Sequence, residues 1–549
     1  MKILLTTINS KYIHQNLAIR ILYASNKNHE GLYWKEFIGK ESSDDIAAFC
    51  SHYQLIAFSC YIWNITRILE VVGKIKNQNP KCKILLGGPE VSYEWKEIIE
   101  SDKIDFIIPG EGEVPFSSFL ASYPDCENIP GLIWKNKGVV IENEKANIFD
   151  LKELNGVNPY IFDSWEDLKN KIAYIEASRG CPYSCEFCLA GNENSLRYVP
   201  VEVLQANLLY LMEHGQTIKF LDRTFNSNPK FAISIFRFIL KHNKPGTIFQ
   251  FEIKADILQP ELIEFIINEV PKGLFRFEIG IQSLNKKAND AIKRRQNFEN
   301  TKKFIEQISD KIELHLDLIV GLPYDYRDDV KYSFEEIFKL YAPELQLGFL
   351  KFLKGTPIRE KYKEHGYRFN PLPPYQIVKS DYLTENELYK IELVEKVLDI
   401  YWNKKRALKT LKYVASNLSI FDFLLGLGNY FEEKTGFLKY DVNEIYNNIY
   451  EYAKERFTEM RILSELIAMD YYLHYKVKPK IRFLPQIEKK LKIGILESLN
   501  LNQHKFRYII HPIHFNLDKF INDNIYEEST DTLIVQYDGI SKAQIILDV

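Results

Sequence analysis

The chain has 549 residues, 46% of them hydrophobic and 26% charged, with a net charge of −3, a balance that excludes a disordered chain or a polycation built to coat nucleic acid. This length exceeds one hydrophobic core and predicts about three or four domains. The longest apolar runs, such as Leu55 to Trp63, reach about ten residues where a bilayer span needs about 20, so the expected protein is cytoplasmic with no membrane segment. Seven cysteines, all before residue 189, and the lack of a secretory leader exclude a disulfide framework.

In chain order, Met1 to Thr7, Gln54 to Trp63, Cys82 to Leu86 and Ile104 to Pro109 read as strands, with an amphipathic helix over Asn64 to Lys76 between two of them. Strands alternating with helices predict a parallel, doubly wound α/β domain over residues 1–145. The turns Leu86-Gly87-Gly88-Pro89-Glu90 and Gly110-Glu111-Gly112-Glu113 follow two of the strands. They therefore lie at the carboxyl edge, where such sheets bind ligands. Ile133 to Ile141 reads as a closing hairpin around Asn136-Lys137-Gly138.

A polar, proline-containing linker over 146–170 leads to a second α/β series over 171–375. Its expected strands are Ala173 to Ala177, Thr217 to Leu221, Ile248 to Ala255, Leu274 to Ile281, Glu313 to Val320 and Leu345 to Phe352. Residues 376–549 read as mainly helical, with long helical stretches over Glu385 to Tyr401 and Val442 to Tyr475 and a short strand-containing tail from Lys480. The pair His511 and His514 has no nearby carboxylate or cysteine in sequence, and reads as structural.

Cys181, Cys185 and Cys188 stand in Ser178-Arg179-Gly180-Cys181-Pro182-Tyr183-Ser184-Cys185-Glu186-Phe187-Cys188, directly after the first strand of the second series. Three thiolates at these spacings can hold three irons of a 4Fe-4S cluster and leave the fourth iron open. A structural zinc site needs a fourth Cys or His at short spacing, and the nearest downstream histidine is His214.

The motif resembles that of the radical S-adenosylmethionine (SAM) superfamily. The resemblance implies that the open iron chelates SAM, whose reductive cleavage gives a 5′-deoxyadenosyl radical, with electrons from a donor such as flavodoxin or ferredoxin. It extends past the cysteines, because six strands with the cysteine loop after the first match the superfamily's partial (β/α)6 barrel, whose catalytic groups collect at strand C-termini. Asp222 and Thr224 end the second strand, where relatives present backbone carbonyls and a small polar residue to the SAM amino group. Glu252, Gln282 and Asp317, on the third, fourth and fifth strands, are implied to hydrogen-bond the ribose and orient the methionine. Arg294, a guanidinium about a dozen residues after Gln282, is implied to pair with the SAM carboxylate. A buried structural role explains any one of these residues alone, and their order along the strands is what carries the assignment. Gly348 and the Gly355-Thr356-Pro357 turn read either as an approach to the adenine or as a plain turn.

A doubly wound domain before such a barrel, with its Leu-Gly-Gly-Pro-Glu and Gly-Glu-Gly-Glu turns, resembles the cobalamin-binding domain of class B radical SAM proteins. That resemblance implies cobalamin between the two domains, carrying a methyl group from one SAM to a substrate radical made with a second. Gly87, Gly88, Glu90, Gly110 and Glu111 are its candidate contacts, since glycine lets backbone come close. The Asp-x-His-x-x-Gly motif that supplies a lower axial histidine elsewhere is missing, and the loop Asn9 to Leu17 contains His14 instead. The C-terminal region looks like a bacterial group of these proteins whose C-terminal domain has no assigned function.

The expected activity is methyl transfer to an unactivated carbon of an unknown substrate, a small molecule or peptide rather than nucleic acid. The alternatives are a cobalamin-dependent radical rearrangement or cyclisation, a methylthiotransferase, and a non-catalytic cluster-binding regulator. A methylthiotransferase carries three further cysteines for a second cluster, whereas Cys50, Cys60, Cys82 and Cys126 lie at strand-like or isolated positions.

Overall fold

The computed structural model describes residues 1–192, 195–457, 461–485, 487–523 and 525–547. The chain divides into two compact units, Met1–Tyr326 with Phe349–Thr384, and Arg327–Gly348 with Glu385–Val549.

The first unit opens with β1 (Ile3–Asn9), β2 (Leu32–Ile38), β3 (Leu55–Ser59), β4 (Lys83–Gly87), β5 (Phe106–Ile108), β6 (Ile133–Asn136) and β7 (Val139–Glu142). They form one sheet in the order β2-β1-β3-β4-β5-β6-β7, with β1 to β5 parallel and the final hairpin antiparallel. β1 is buried at all seven positions, as expected of a strand covered on both faces. Helices Ser43–Cys50 and Ile65–Gln78 cover one face, and Leu17–Ser25 and Glu113–Ser122 the other. The edge strand β2 is an addition to the sequence reading. Its run Leu-Tyr-Trp-Lys-Glu-Phe-Ile mixes buried and exposed positions without alternation, so its period is hidden.

The second sheet contains β8 (Ile172–Ile175), then, after the short antiparallel pair β9 (Ser178–Arg179) and β10 (Arg197–Tyr198), β11 (Thr217–Phe220), β12 (Ile248–Ile253), β13 (Phe275–Gln282) and β14 (Glu313–Val320). Within this unit β8, β11, β12, β13 and β14 are successive parallel neighbours. The sixth expected strand forms as β15 (Glu344–Phe349). Burial alternates strictly along β12, β13 and β14. One row is apolar and packs outward, where Phe220, Phe236, Phe251, Phe275 and Phe277 interlock with ring centroids as close as 4.5 Å. The opposite row is polar and includes Lys219, Glu252, Glu278, Gln282, His315 and Asp317. A short antiparallel pair, β16 (Arg368–Phe369) and β17 (Ile377–Lys379), follows.

The segment expected to link the two sheets is packed rather than loose. Arg20, 2% exposed, donates to both oxygens of Asp163 at 2.9 and 2.6 Å and to Glu36 at 2.8 Å. Its guanidinium also lies over the rings of Trp34 and Tyr160. The Tyr160 hydroxyl donates to the Tyr174 carbonyl and accepts from the Tyr174 N–H, both at 2.6 Å, which ties the segment to β8.

The second unit holds helices Glu385–Leu398, Leu408–Asn417, Ile420–Lys434, Val442–Arg456 and Arg461–His474. The long helix expected over Val442 to Tyr475 is thus two helices, and residues 458–460 between them lie outside the described residues. Asp441 caps the first of the two with a capping box through Glu444. An antiparallel sheet of β18 (Arg507–Phe515), β19 (Glu528–Tyr537) and β20 (Gln544–Ile546) packs its Ile509, Ile513, Leu533 and Val535 against the last helix.

Removing a buried guanidinium leaves its carboxylates uncompensated, a loss of about 3–5 kcal/mol. Arg20→Met is therefore expected to lower the free energy of unfolding by that amount, read as a fall in the denaturant midpoint, with both Glu36 and Asp163 stranded. An unchanged midpoint would show that this network does not stabilise the first unit.

Candidate active site at the cysteine loop

β8 ends at Ile175, and the chain passes through Glu176 and Ala177 into β9, so Cys181 opens a loop at the carboxyl edge of the parallel strands. Two buried side chains fix its approach. Asp222 Oδ2 accepts the Ala177 N–H at 2.9 Å, and Oδ1 accepts the Ser178 hydroxyl at 2.5 Å. Burial pushes the Asp222 carboxyl up to about 7. Arg179 donates from Nε to Glu176 at 3.0 Å, from Nη1 to Glu111 at 3.1 Å and from Nη2 to Glu113 at 2.6 Å. Arg197, opposite Arg179 across β9 and β10, donates to Glu111 Oε1 at 2.6 Å.

Gly180 then takes φ 87°, a left-handed backbone suited to glycine, and turns the chain into the cysteines. Glu186, inside the motif, is 6% exposed and pairs with Lys361 at 2.7 Å and Lys293 at 3.0 Å. Gly191 lies so close beneath the loop that a Cβ there would sit 2.9 Å from the Cys185 carbonyl oxygen.

The Thr224 hydroxyl is 3.7 Å from Cys181 Sγ, and Arg294 Nη1 is 4.0 Å from Cys185 Sγ. Burial raises the Cys185 thiol while Arg294 opposes that rise, so the guanidinium favours the thiolate that iron needs. Among the described residues no three His, Cys, Asp or Glu side chains are grouped tightly enough for a single metal ion. Three thiolates on separate irons of a cluster have no need to be.

The residues implied to hold SAM stand around this loop. Arg294 Nη2 donates to the Gly280 carbonyl, so one guanidinium spans from Cys185 to β13. Gln282 ends β13 at φ 70°, past a register shift at Gly280, and its buried Oε1 has no hydrogen-bond partner among the described residues. A left-handed residue with an unmatched buried acceptor fits a ligand-facing position. Glu252 pairs with Arg223 Nη1 at 3.3 Å, and burial raises its carboxyl. Asp317 lies opposite Gly280 in the sheet, 3.1 Å from His315 Nε2. Both side-chain oxygens of Asp222 hold the strand before the cysteines. At Gly355 a Cβ would meet the Tyr93 ring at 2.3 Å, so the turn packs on that ring.

At the carboxyl edge of the first sheet, the glycines and the acids separate. Gly110 takes φ 73° and has open space where a Cβ would stand, and Gly87 contacts only Ile108 O at 3.6 Å. Gly88, at φ 101°, is pressed against Cys60, whose carbonyl oxygen would be 2.6 Å from a Cβ. The Glu90 and Glu111 carboxylates, by contrast, are engaged by partners within the protein. The Glu90 carboxylate is 4% exposed and accepts from the Tyr375 hydroxyl at 2.7 Å. Glu111 accepts from Arg179, Arg197 and the Phe149 N–H.

His14 faces the Tyr174 hydroxyl at 2.7 Å. The exposed side chains of Tyr12, Ile13, Trp63 and Tyr93 stand on the loops after β1, β3 and β4. This apolar rim with an open glycine would suit the edge of a broad corrin. Sequence reasoning missed Arg179, Glu186 and Arg223. The first two carried a signal as charged residues inside an otherwise small and apolar cysteine motif.

Family models match the chain in three stretches, a B12 binding domain over residues 3–120, the radical SAM superfamily over 175–337 and a protein of unknown function (DUF4080) over 363–529. The 2-(S-pantetheinyl)-carbapenam-3-carboxylate methyltransferase of Streptantibioticus cattleyicolor is 25% identical over 391 residues, 64% of this chain and 54% of that protein. The cobalamin-dependent radical SAM methyltransferase TokK of Streptomyces tokunonensis is 24% identical over 62% of this chain and 53% of its own length. The chain therefore spans about half the length of these curated relatives.

Among solved structures, the radical SAM methyltransferase TsrM from Kitasatospora setae, with cobalamin and a [4Fe-4S] cluster bound, matches with a TM-score of 0.56 at 14% identity over 68% of this chain and 76% of that one. The cobalamin-dependent enzyme OxsB with aqua-cobalamin matches at 0.57 and 14% identity, over 85% and 80%. At these identities the likeness is one of fold. The B12 binding and radical SAM domain matches imply a cofactor set of 4Fe-4S cluster, SAM and cobalamin. The chain thus carries a B12-binding domain, a radical SAM domain and a DUF4080 domain in the fold of the cobalamin-dependent radical SAM enzymes.

Proposed function

We propose that this protein is a cobalamin-dependent radical SAM methyltransferase that acts on a small molecule or peptide. The observation that carries the reading is Arg294, which reaches from Cys185 to Gly280 beside the unmatched acceptor of Gln282. In this reading the bound cluster, SAM and cobalamin together supply radical chemistry and a methyl group. Cys181, Cys185 and Cys188 hold three irons of the cluster, and Thr224 and Arg294 flank it. Arg294 takes the SAM carboxylate, a match for a guanidinium fork. Gln282, Asp317 and the Glu252–Arg223 pair orient the nucleoside and methionine through hydrogen bonds. Gly87, Gly88 and Gly110 border the corrin, with the exposed aromatic rings against its apolar edge. The polar row of Tyr174, Lys219 and Glu278 faces the substrate. Such chemistry needs an outside reductant, an iron-sulfur or flavin protein, and suits an oxygen-poor cytoplasm; among the described residues no helix is long and apolar enough to cross a membrane.

After anaerobic reconstitution with iron, sulfide and hydroxocobalamin, the protein is expected to retain about four irons and cobalt near one equivalent by metal analysis. Incubation with SAM, reductant and substrate extracts should then give a product one methylene heavier, by mass spectrometry. An unshifted product mass would turn the reading to rearrangement, and four irons without cobalt would remove cobalamin.

Cys185→Ala is expected to lose the iron-sulfur absorbance at roughly 400 nm together with SAM cleavage. Retained cleavage would refute the cluster assignment. Arg294→Ala should keep that absorbance while SAM binds about 10–100-fold more weakly, as befits loss of a charge-assisted bond. Unaltered SAM affinity in a titration would remove Arg294 from the site.

A further inference from the structure

On the outer side of the cysteine loop, cations from two distant stretches of the chain meet. From Lys286 to Arg295 the sequence carries five Lys and Arg against one Asp, and from Lys351 to Arg368 six against two Glu, in a chain whose net charge is −3. Both stretches converge on Glu186, the residue after Cys185. The Glu186 N–H donates to Ile292 O at 3.0 Å, and the Glu186 carbonyl accepts the Ile358 N–H at 3.1 Å. One oxygen of its carboxylate then pairs with both Lys293, at 3.0 Å, and Lys361, at 2.7 Å.

The two lysines reach the surface at this point. Their side chains are 60% and 40% exposed, whereas Glu186 is buried. Pro182 and Ser184 of the cysteine motif are exposed, and so are Lys286, Lys287, Arg295 and Lys363. Arg294 turns the other way, to Cys185. One buried carboxylate that answers two ammonium groups leaves positive charge on the surface, next to a residue that would ligate the cluster.

We propose that this face, centred on Lys293 and Lys361 with Arg295 and Lys363 beside them, is the docking surface for a small acidic electron-carrier protein. The surface rests on the cluster reading of Cys181, Cys185 and Cys188 given above, and adds the place where the outside reductant meets the chain. In the step it serves, one electron leaves the carrier, which is oxidised by one unit, and enters the 4Fe-4S cluster, which is reduced by one unit; no proton or group moves. Glu186 and Cys185 are one peptide unit apart, about 3.8 Å between Cα atoms, so a carrier seated on the two lysines faces the ligand loop of the cluster. Cations here complement carboxylates around a partner's redox centre, which steers the encounter and fixes its orientation without demanding high affinity. Small interfaces of this kind belong to transient redox pairs. A nucleic-acid strand is disfavoured, because Asp290, Glu360 and Glu364 interrupt the cations where a phosphate backbone needs an unbroken basic stripe.

The test takes the reconstituted full chain and flavodoxin, an acidic flavin protein, into calorimetric titration at low salt. One flavodoxin per chain is expected, with affinity falling as salt is raised and about tenfold lower in the double variant Arg295→Glu/Lys363→Glu, where like charges now oppose the partner. The control Lys81→Gln, exposed at the amino edge of β4, should bind as the parent does. Both substitutions in the double variant leave the Glu186 pairs in place, so SAM cleavage driven by dithionite should equal the parent's while cleavage driven by reduced flavodoxin falls about tenfold. Cleavage with dithionite but no saturable flavodoxin binding, equal affinity in the double variant, or tighter binding of a single-stranded RNA than of flavodoxin would each overturn the docking surface. Failure of dithionite to drive cleavage in a chain that keeps its iron-sulfur absorbance would instead overturn the radical SAM reading beneath it.

Discussion

The Arg179 guanidinium is bonded to carboxylates on both sides of the seam between the two α/β sheets, and the position of the cysteine loop follows from it. Glu111 and Glu113 come from the turn after β5, Glu176 from the end of β8, and Arg179 stands two residues before Cys181. A single buried ion pair often gains little, since desolvation offsets attraction, but a guanidinium with three acceptors leaves few of its donors unmatched. Arg197 adds a second guanidinium, so three carboxylates face two cations. That imbalance settles on Glu176: burial lifts its carboxyl, Glu113 and Glu111 lift it further, and Arg179 opposes them. Glu111 shows the opposite result, because its bonds to Arg197, the Phe149 N–H and Arg179 outweigh burial and hold it below its usual range. The loop that presents the thiols is thus fixed by long-range charge, with Asp222 completing the hold from β11.

Polarity inside the second sheet follows from the same two-residue alternation that builds its outer core. A closed barrel fills its interior with branched apolar side chains. Here the apolar row of β12, β13 and β14 faces the helices, and the opposite row presents Glu252, Glu278, Gln282, His315 and Asp317. Lys219 answers Glu278 with bonds at 2.6 and 2.8 Å to its two oxygens, and Arg223 answers Glu252. Charged side chains in such a row must be paired or solvated. The sheet is therefore built around a polar, hydrogen-bonding row.

Local features of this molecule were legible in its sequence and pairings across it were not. The spacing of the cysteines, the strand that precedes them and the polar residues on successive strands each depend on neighbours a few positions away. Their order in the sequence is their order in the sheet. The strand Glu313–Val320 agrees with its expected limits because its period-two alternation is strict. The fates of Glu90 and Glu111 depend instead on Tyr375, 285 residues away, and on Arg179, 68 residues away. A glycine-acid turn looks the same whether its acid meets a ligand or an arginine of the next domain. Gln282 was identified by type and position, but its left-handed backbone comes from the register shift at Gly280, which no local pattern announces. The missing strand β2 and the packed linker share one cause. Both are joined to the rest through Arg20, whose partners Glu36 and Asp163 lie 16 and 143 residues away.

The open edge of the second sheet explains why the two α/β domains share one compact unit. A parallel sheet that does not close leaves the N–H and C=O groups of its first strand unpaired, which is costly when buried and hazardous when exposed. Here the loop after β1 supplies the missing neighbour: the Ile172 N–H donates to Ile13 O at 2.7 Å, and His14 pairs with Ile172 as an isolated parallel bridge. The His14 ring then reaches the Tyr174 hydroxyl, so burial and the positive charges of Lys11 and Lys219 keep the imidazole below its usual pKa. His14 is thereby spent on closing a sheet edge. Hinging the domains apart at this seam would expose that edge, strand Arg20 from Asp163 and break Arg179 from Glu111 and Glu113. Each buried ionic loss costs about 3–5 kcal/mol, and their sum approaches the whole stability of an ordinary domain. The seam therefore holds the two sheets, and the cysteine loop between them, in fixed register.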